Sequence, residues 1–144
     1  LAKAVDSARR EHTRAAVVLL AIDDFTQLNE TYGRKVGDVV LKTVARTLSG
    51  VMEPHDFLGR WAGAEFVAVL ANVRPLTLEG RVQRLRILVQ ESARRLSHGK
   101  VRVTVSVGAA ALSVGDTPVS IMDTLFRLLD ESRRRGGNHV TVDR

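Results

Sequence analysis

The chain contains no cysteine, which excludes a disulfide framework and a zinc site built on thiolates. Aromatic residues make up only 4% of the 144 residues, so the core must consist mainly of valine, leucine, isoleucine and alanine. No apolar run approaches the roughly 18 residues that a membrane-spanning helix needs, and the first residues do not resemble a signal peptide. We therefore expect one cytoplasmic domain. Because Leu1 is not methionine, we expect it to be part of a longer protein.

Acidic residues are fewer than basic ones, and the net charge of +6 is carried mainly by arginine. Arginines cluster at 94–95 and 133–135. Such clusters are typical of solvated helix faces and of helix C-termini, where cations offset the helix dipole. At a nucleic-acid surface we would expect aromatic residues to interleave with the arginines, and here they do not. We predict no nucleic-acid partner, and binding of an anionic nucleotide stays open.

Apolar periodicity predicts alternating helices and strands. The continuous apolar run 17–22 is followed directly by Asp23 and Asp24, and it indicates a strand buried on both faces. At 101–107, valines alternate with polar residues, which predicts a strand with one polar face. The other predicted elements are a lead-in helix from an upstream region over 2–14, helices over 35–51, 77–96 and 118–135, a hairpin with strands 57–61 and 65–70, and a strand over 140–142. The main domain is predicted to span 15–144.

Residues 60–66 read Arg-Trp-Ala-Gly-Ala-Glu-Phe and are the most informative segment. A short strand, a tight turn containing glycine, an acidic residue and a buried strand form the frame of a catalytic hairpin. Alanine stands at 62, where such a turn favours glycine, and at 64, where a catalytic site needs a carboxylate. The form of the hairpin is therefore kept while its chemistry is changed.

The run Ala62, Gly63, Ala64, Glu65, Phe66 resembles the Gly-Gly-Asp-Glu-Phe signature of diguanylate cyclase (GGDEF) domains. Further segments resemble the same family in the same order: 21–33, 36–45, 103–108 and 132–138. These domains condense two GTP molecules into cyclic di-GMP across a homodimer. The resemblance implies an α/β (α+β) fold, with a central, mostly antiparallel five-stranded sheet flanked by helices in the palm-like arrangement of nucleotide cyclases.

The resemblance places the two side-chain metal ligands of the family at Ala21 and Ala64. A methyl group supplies no ligand for Mg²⁺, which requires oxygen ligands in octahedral geometry. Asp23 lies about 6–7 Å further along an extended strand, and Glu65 points to the face opposite that of Ala64. We therefore expect no intact catalytic residue, no metal site and no cofactor, with Mg²⁺ entering only together with bound GTP.

Several nucleotide-binding positions of the family remain. Asn29 and Asp38 match its guanine-recognising residues, Gly63 keeps the permissive turn position, and Arg133 replaces a phosphate-binding lysine. A carboxylate and an amide together can pair with the edge of guanine. Judged on spacing alone, Asn29 is equally well a turn residue in a helical region, and Asp38 a helix N-cap.

Other positions depart from the family pattern. Thr26 and Gly137 stand where the family has a lysine and an arginine, so two cations are lost. In the family's product-inhibition motif, Arg-x-x-Asp, Asp56 remains but Glu53 replaces the arginine. That reversal of charge opposes binding of a phosphate at the feedback site.

The leading hypothesis is a catalytically inactive GGDEF domain that acts as a regulatory or interaction module in a bacterial cyclic-di-GMP signalling protein. GTP binding without turnover is an addition to this hypothesis. The alternative is an active diguanylate cyclase with an altered metal site. The expected partners are GTP, an upstream sensor, a downstream EAL-type domain and a second copy of the chain.

Overall fold

The computed structural model describes residues 1–10 and 14–143, with side chains described for 1–6 and 14–143. The chain begins with α1 (Ala2–Arg10), and Arg14 is not helical. The predicted lead-in helix over 2–14 is therefore shorter than expected, and its residues 11–13 lie outside the described residues. Val5 of α1 is fully buried against the sheet.

The order of elements agrees with the prediction. The elements after α1 are β1 (Ala15–Ile22), α2 (Phe25–Tyr32), α3 (Arg34–Gly50), β2 (Phe57–Ala62), β3 (Glu65–Ala71), α4 (Pro75–Leu96), β4 (Val105–Ala111), α5 (Pro118–Arg134) and β5 (Val140–Asp143). Thr117 and Ser120 form a capping box at the start of α5, which satisfies backbone N–H groups there. Within the described ranges, every helix is too short or too polar to cross a membrane.

The strands form one five-stranded sheet in the order β2-β3-β1-β4-β5. All neighbouring pairs are antiparallel except β4 and β5, which are parallel. The predicted α/β fold with a mostly antiparallel five-stranded sheet is therefore confirmed. β1 lies at the centre, so the residues that follow it emerge in the middle of one end of the sheet.

Helices cover both faces of the sheet, as the apolar run of β1 predicts. All eight residues of β1 are buried, and successive side chains point to opposite faces. Val18 and Leu20 pack beneath α3 and α4, whereas Val17 and Leu19 pack beneath α5 and α1. The central strand is thus fixed between two apolar layers.

The prediction for 101–107 is wrong in its bounds and in its polar face. β4 begins at Val105 and extends to Ala111, and six of its seven residues are buried. Ser106 is completely buried, and its hydroxyl donates a hydrogen bond to Asp23. Thr104 and Ser106 thus face a partly buried carboxylate, and a local pattern of polar residues cannot distinguish such a neighbour from water.

Gly108 lets α5 approach the sheet closely. A Cβ atom at this position would lie 2.8 Å from both the carbonyl oxygen of Leu125 and the amide nitrogen of Leu129. These are backbone atoms of a packed helix, so they cannot rotate away as the end of a side chain could. The distance between α5 and β4 therefore depends on glycine at this position.

We predict that Gly108→Ala lowers the free energy of unfolding by about 1–3 kcal/mol, because the added methyl overpacks the contact between sheet and helix. Urea denaturation followed by circular dichroism measures the change. The matched control is Gly80→Ala in α4, where nothing lies within 4 Å of the new Cβ. There the better helix propensity of alanine should raise stability by about 0.8–1.0 kcal/mol. Equal effects of the two substitutions would contradict the packing argument.

Candidate functional site

The largest described cleft, about 990 Å³, opens at the end of β1. Three segments surround it: residues 21–27 with Glu30, the hairpin residues 63–65, and the C-terminal region of α5 with Arg133, Gly136 and Gly137. The volume is within the range of small-molecule sites. The central strand, the hairpin and the last helix therefore converge on one cavity.

The hairpin turn consists of two residues, Gly63 and Ala64, between β2 and β3. Gly63 has a φ of 49°, so glycine suits this position. The Nε of Arg60 donates a 2.8 Å hydrogen bond to the carbonyl oxygen of Gly63. Ala62 is the last residue of β2, is exposed and does not have a positive φ. The expected preference of the turn for glycine therefore does not apply at position 62, because Ala62 ends β2 and lies outside the turn.

Ala21 and Ala64 both line the cleft, from different segments. Ala21 is only 2% exposed and packs with the apolar layer under α5. Ala64 packs against the apolar layer on the other face. The amide of Ile22 donates to the carbonyl oxygen of Ala64 at 3.1 Å, which joins the end of β1 to the hairpin. Two adjacent backbone segments thus meet here, each with a methyl group.

Asp23 is held by hydrogen bonds from three sides. Its carboxylate accepts from Thr104 Oγ1 at 2.7 Å, from Ser106 Oγ at 2.6 Å and from the amide of Asn138 at 2.8 Å. A Cβ at Gly137 would come within 3.1 Å of the carboxylate oxygens. The carboxylate therefore connects the end of β1 to the segment before β4 and to the loop after α5.

The described side chains of the cleft do not fit a bound Mg²⁺. The two alanines offer no oxygen ligand, and the oxygens of Asp23 already accept hydrogen bonds. Within residues 1–6 and 14–143, no group of three or more histidine, aspartate or glutamate side chains is arranged to hold a metal. Asp24, Glu30 and Glu65, whose Cα is paired with that of Ala21, remain as separate carboxylates at the cleft.

Asn29 and Asp38 are not among the residues that line the cleft. Asn29 is on α2, and its Oδ1 is buried against Gly37 of α3 without a hydrogen-bond partner in the described part of the chain. Asp38 follows Gly37 and is exposed on α3. The N-cap interpretation of Asp38 is wrong, because α3 begins at Arg34 and Gly33 precedes it. The structure thus brings Asn29 next to the helical turn that carries Asp38.

Arg133 and Gly63 do line the cleft. Arg133 is half exposed and forms a 3.6 Å ion pair with Asp130 on the same helix. Gly137 has a φ of 77°, a conformation that a side chain disfavours. Cationic contact with a ligand in this cleft therefore depends on Arg133.

Asp56, the remaining acidic residue of the product-inhibition motif, is used within the fold. Its side chain is fully buried. It accepts hydrogen bonds from the amides of Glu53 and Ala71, both at 2.8 Å, and from the guanidinium of Arg81 at 2.5 Å. Removing one partner of such a buried ion pair is costly, so this carboxylate has a structural role.

Sequence reasoning missed three further features of the site. Gln27 and Glu30 of α2 line the cleft, and Asn138 donates its amide to Asp23 with a positive φ of 49°. The helical face that carries Gln27 and Glu30 could have been read from the spacing. The contact with Asn138 spans 115 residues and has no local signal.

The sheet order and the cleft at the end of the central strand define an α/β domain with its site formed by β1, the β2–β3 hairpin and α5. Residues 1–139 match the family described as diguanylate cyclase, GGDEF domain. This chain belongs to the GGDEF domain family.

Known relatives agree with this assignment. "Diguanylate cyclase A" of Treponema denticola is 28% identical over 141 residues, which are 97% of this chain and 38% of that protein. The GGDEF domain of DgcB from Caulobacter crescentus, solved in complex with c-di-GMP, has a TM-score of 0.87 and 29% identity over 99% of this chain and 85% of that one. Diguanylate cyclase SiaD of Pseudomonas aeruginosa, solved with its activator SiaC, has a TM-score of 0.82 and 28% identity over 98% of this chain and 54% of that one. The chain thus spans little more than a third of the curated relative.

We predict that Asp23→Asn lowers the free energy of unfolding by about 1–3 kcal/mol, because an amide group then faces the buried N–H and hydroxyl donors. Urea denaturation measures the loss. Asp24→Asn is the matched control: Asp24 is exposed, its side chain caps no backbone N–H of α2, and its φ of 52° is one that asparagine tolerates. The control should change stability by no more than about 0.5 kcal/mol. An equally small effect at Asp23 would show that the three contacts do not stabilise the fold.

Proposed function

We propose that this chain is a catalytically inactive GGDEF domain that acts as a regulatory or interaction module in a bacterial cyclic-di-GMP signalling protein. One observation carries the proposal: alanine stands at both cleft positions, Ala21 and Ala64, where the family resemblance expects metal ligands. Phosphoryl transfer in such sites depends on metal ions that position the triphosphate and neutralise its developing charge. The described carboxylates offer no evident replacement, since Asp24, Glu30 and Glu65 form no cluster arranged to hold a metal and Asp23 already accepts three hydrogen bonds.

The regulatory role follows from what the domain retains. The sheet, the hairpin and the cleft are intact, so the chain keeps a surface of the family's shape. We propose that the chain works in the cytoplasm, and that it works beside other domains, since it matches only 38% of the length of a curated relative. An upstream sensor, a downstream EAL-type domain and a second copy of the chain are the partners we propose. The solved complex of SiaD with its activator supports protein partnership in this family.

We predict no sustained production of cyclic di-GMP from GTP with Mg²⁺ or Mn²⁺ by the purified dimer. Replacing Ala21 and Ala64 by aspartate, together with Ala62→Gly, should raise the rate at least about a hundredfold, since metal stabilisation of transition-state charge is worth several kcal/mol. Nucleotide chromatography over time measures the product. The matched control carries Ala62→Gly alone and should stay inactive. Turnover by the unchanged chain at ordinary enzyme rates would support the alternative, an active cyclase with an altered metal site.

A second candidate function is GTP binding without turnover. The observation that favours it is the unpartnered, buried Oδ1 of Asn29 beside the turn that carries Asp38. An amide and a carboxylate at this place could pair with guanine. The charge of the cleft opposes it, because Arg133 is its only lining cation among the described residues, whereas Asp24 and Glu65 are acidic.

Calorimetric titration with GTP, with and without Mg²⁺, tests this second function. If GTP binds, Asp38→Ala should weaken the affinity at least about tenfold, as expected for loss of a hydrogen bond to a charged group. Asp123→Ala, a matched change at an exposed position of α5, should leave the affinity unchanged. Absence of binding at millimolar GTP would leave only the protein-interaction role.

A further inference from the structure

A second groove lies between α3 and the edge strand β2, with a volume of about 290 Å³. Its apolar lining comes from α3, β2 and β3 and consists of Leu41, Ala45, Leu58 and Phe66. Lys42 and Arg60 add two cations, and among the described side chains no carboxylate lines the groove. The charge of this lining is opposite to that of the main cleft, where acidic side chains outnumber the single arginine.

The groove borders an open strand edge. β2 is the terminal strand of the sheet, and within the described part of the chain it pairs only with β3. The ladder is regular from Phe57 to Arg60 and is interrupted by an irregularity between Arg60 and Ala62. Exposed edges present unpaired N–H and C=O groups that can accept another strand. A regular segment of edge backbone therefore lies beside the groove.

The side chains beside this edge define what an added strand must carry. Leu58 and Arg60 are two residues apart on β2, so they point to the same face, toward α3. A strand paired with β2 therefore presents to this face residues that are also two apart. An apolar residue suits the apolar lining near Leu58, and a carboxylate suits the cations Arg60 and Lys42.

Arg60 can donate hydrogen bonds to such a carboxylate while keeping its present contact with the hairpin turn. Its Nε already donates to the carbonyl oxygen of Gly63 in the hairpin turn. The terminal nitrogens of a guanidinium carry the other N–H donors, which match the two oxygens of a carboxylate. Lys42 is exposed on the facing side of the groove and supplies a second cation.

We propose that this groove binds an extended acidic segment of a partner protein by strand addition to β2. The segment carries an apolar residue with a carboxylate two positions before it and two positions after it. Its backbone pairs with the open edge of β2, its apolar side chain packs on Leu58 and Leu41, and its carboxylates pair with Arg60 and Lys42. This surface is separate from the main cleft, and the proposal does not depend on whether the domain binds GTP.

The test uses an acetylated and amidated peptide with the sequence Thr-Glu-Thr-Val-Thr-Glu-Thr, which reads the same in both directions, so the direction of the added strand need not be known. Calorimetric titration of the chain should show saturable binding. A peptide with lysine in place of both glutamates should not bind. Two further peptides are N-methylated on the backbone, one on all four threonines and the other on the remaining three residues. A strand donates hydrogen bonds to its neighbour from alternate residues, so at least one of these two peptides should fail to bind.

Charge reversals locate the binding site. Lys42→Glu and Arg60→Glu should each weaken binding at least about tenfold, as loss of a charge pair at an interface does. Lys35→Glu is the matched control, because Lys35 lies on the same helix but outside this groove, at a separate apolar cleft. It should change the affinity less than about twofold, since solvent screens exposed charges beyond about 8 Å. Circular dichroism verifies that each variant is folded.

Three results would overturn the proposal. The first is that the acidic peptide does not bind. Arg60 and the adjacent irregularity would then protect the edge strand against pairing. Another is retention of binding by both N-methylated peptides, because the backbone of β2 would then not be used. The last is a loss of binding in Lys35→Glu that equals the loss in Lys42→Glu.

Discussion

The carboxylate of Asp23 connects the parts of the molecule on which the candidate site depends. It accepts hydrogen bonds from Thr104, Ser106 and the amide of Asn138. These partners belong to the segment before β4, to β4 itself and to the loop after α5, so one side chain connects these three segments to the end of β1. Hydrogen bonds to a charged acceptor in a partly buried place are stronger than neutral ones. The same three donors fix the orientation of this carboxylate, which gives it a structural role at the end of β1.

Ala21 and Ala64 suit the packing of the fold but lack the oxygen atoms that a metal site needs. Ala21 and Ala64 pack against apolar layers on opposite faces of the sheet, and the backbone bond from Ile22 to Ala64 joins their segments. A carboxylate at either place would be partly desolvated, which is costly without a bound cation. Alanine at these positions is thus compatible with a well-packed domain, and it gives up the ligands while keeping the fold.

Much of the fold could be predicted because its signals are local. The apolar run of β1 indicated burial on both faces, and the helical spacing of valines and leucines located α3 and α4. The polar alternation at Thr104 and Ser106 predicted a polar face but not what that face contacts, because period two shows only that side chains alternate. What lies on each side is decided by another part of the chain, here by Asp23.

The sequence by itself determined the family resemblance, the order of helices and strands, and the absence of carboxylates at Ala21 and Ala64, because these follow from residue identity and periodicity. Only the tertiary structure decided that Asp23 is engaged, that Asn29 lies against Gly37 outside the lining of the main cleft, and that Ala62 is outside the turn. The bond between Asp23 and Asn138 joins residues 115 positions apart. Such a contact exists only after the sheet and α5 have packed, so no local pattern of residues can specify it.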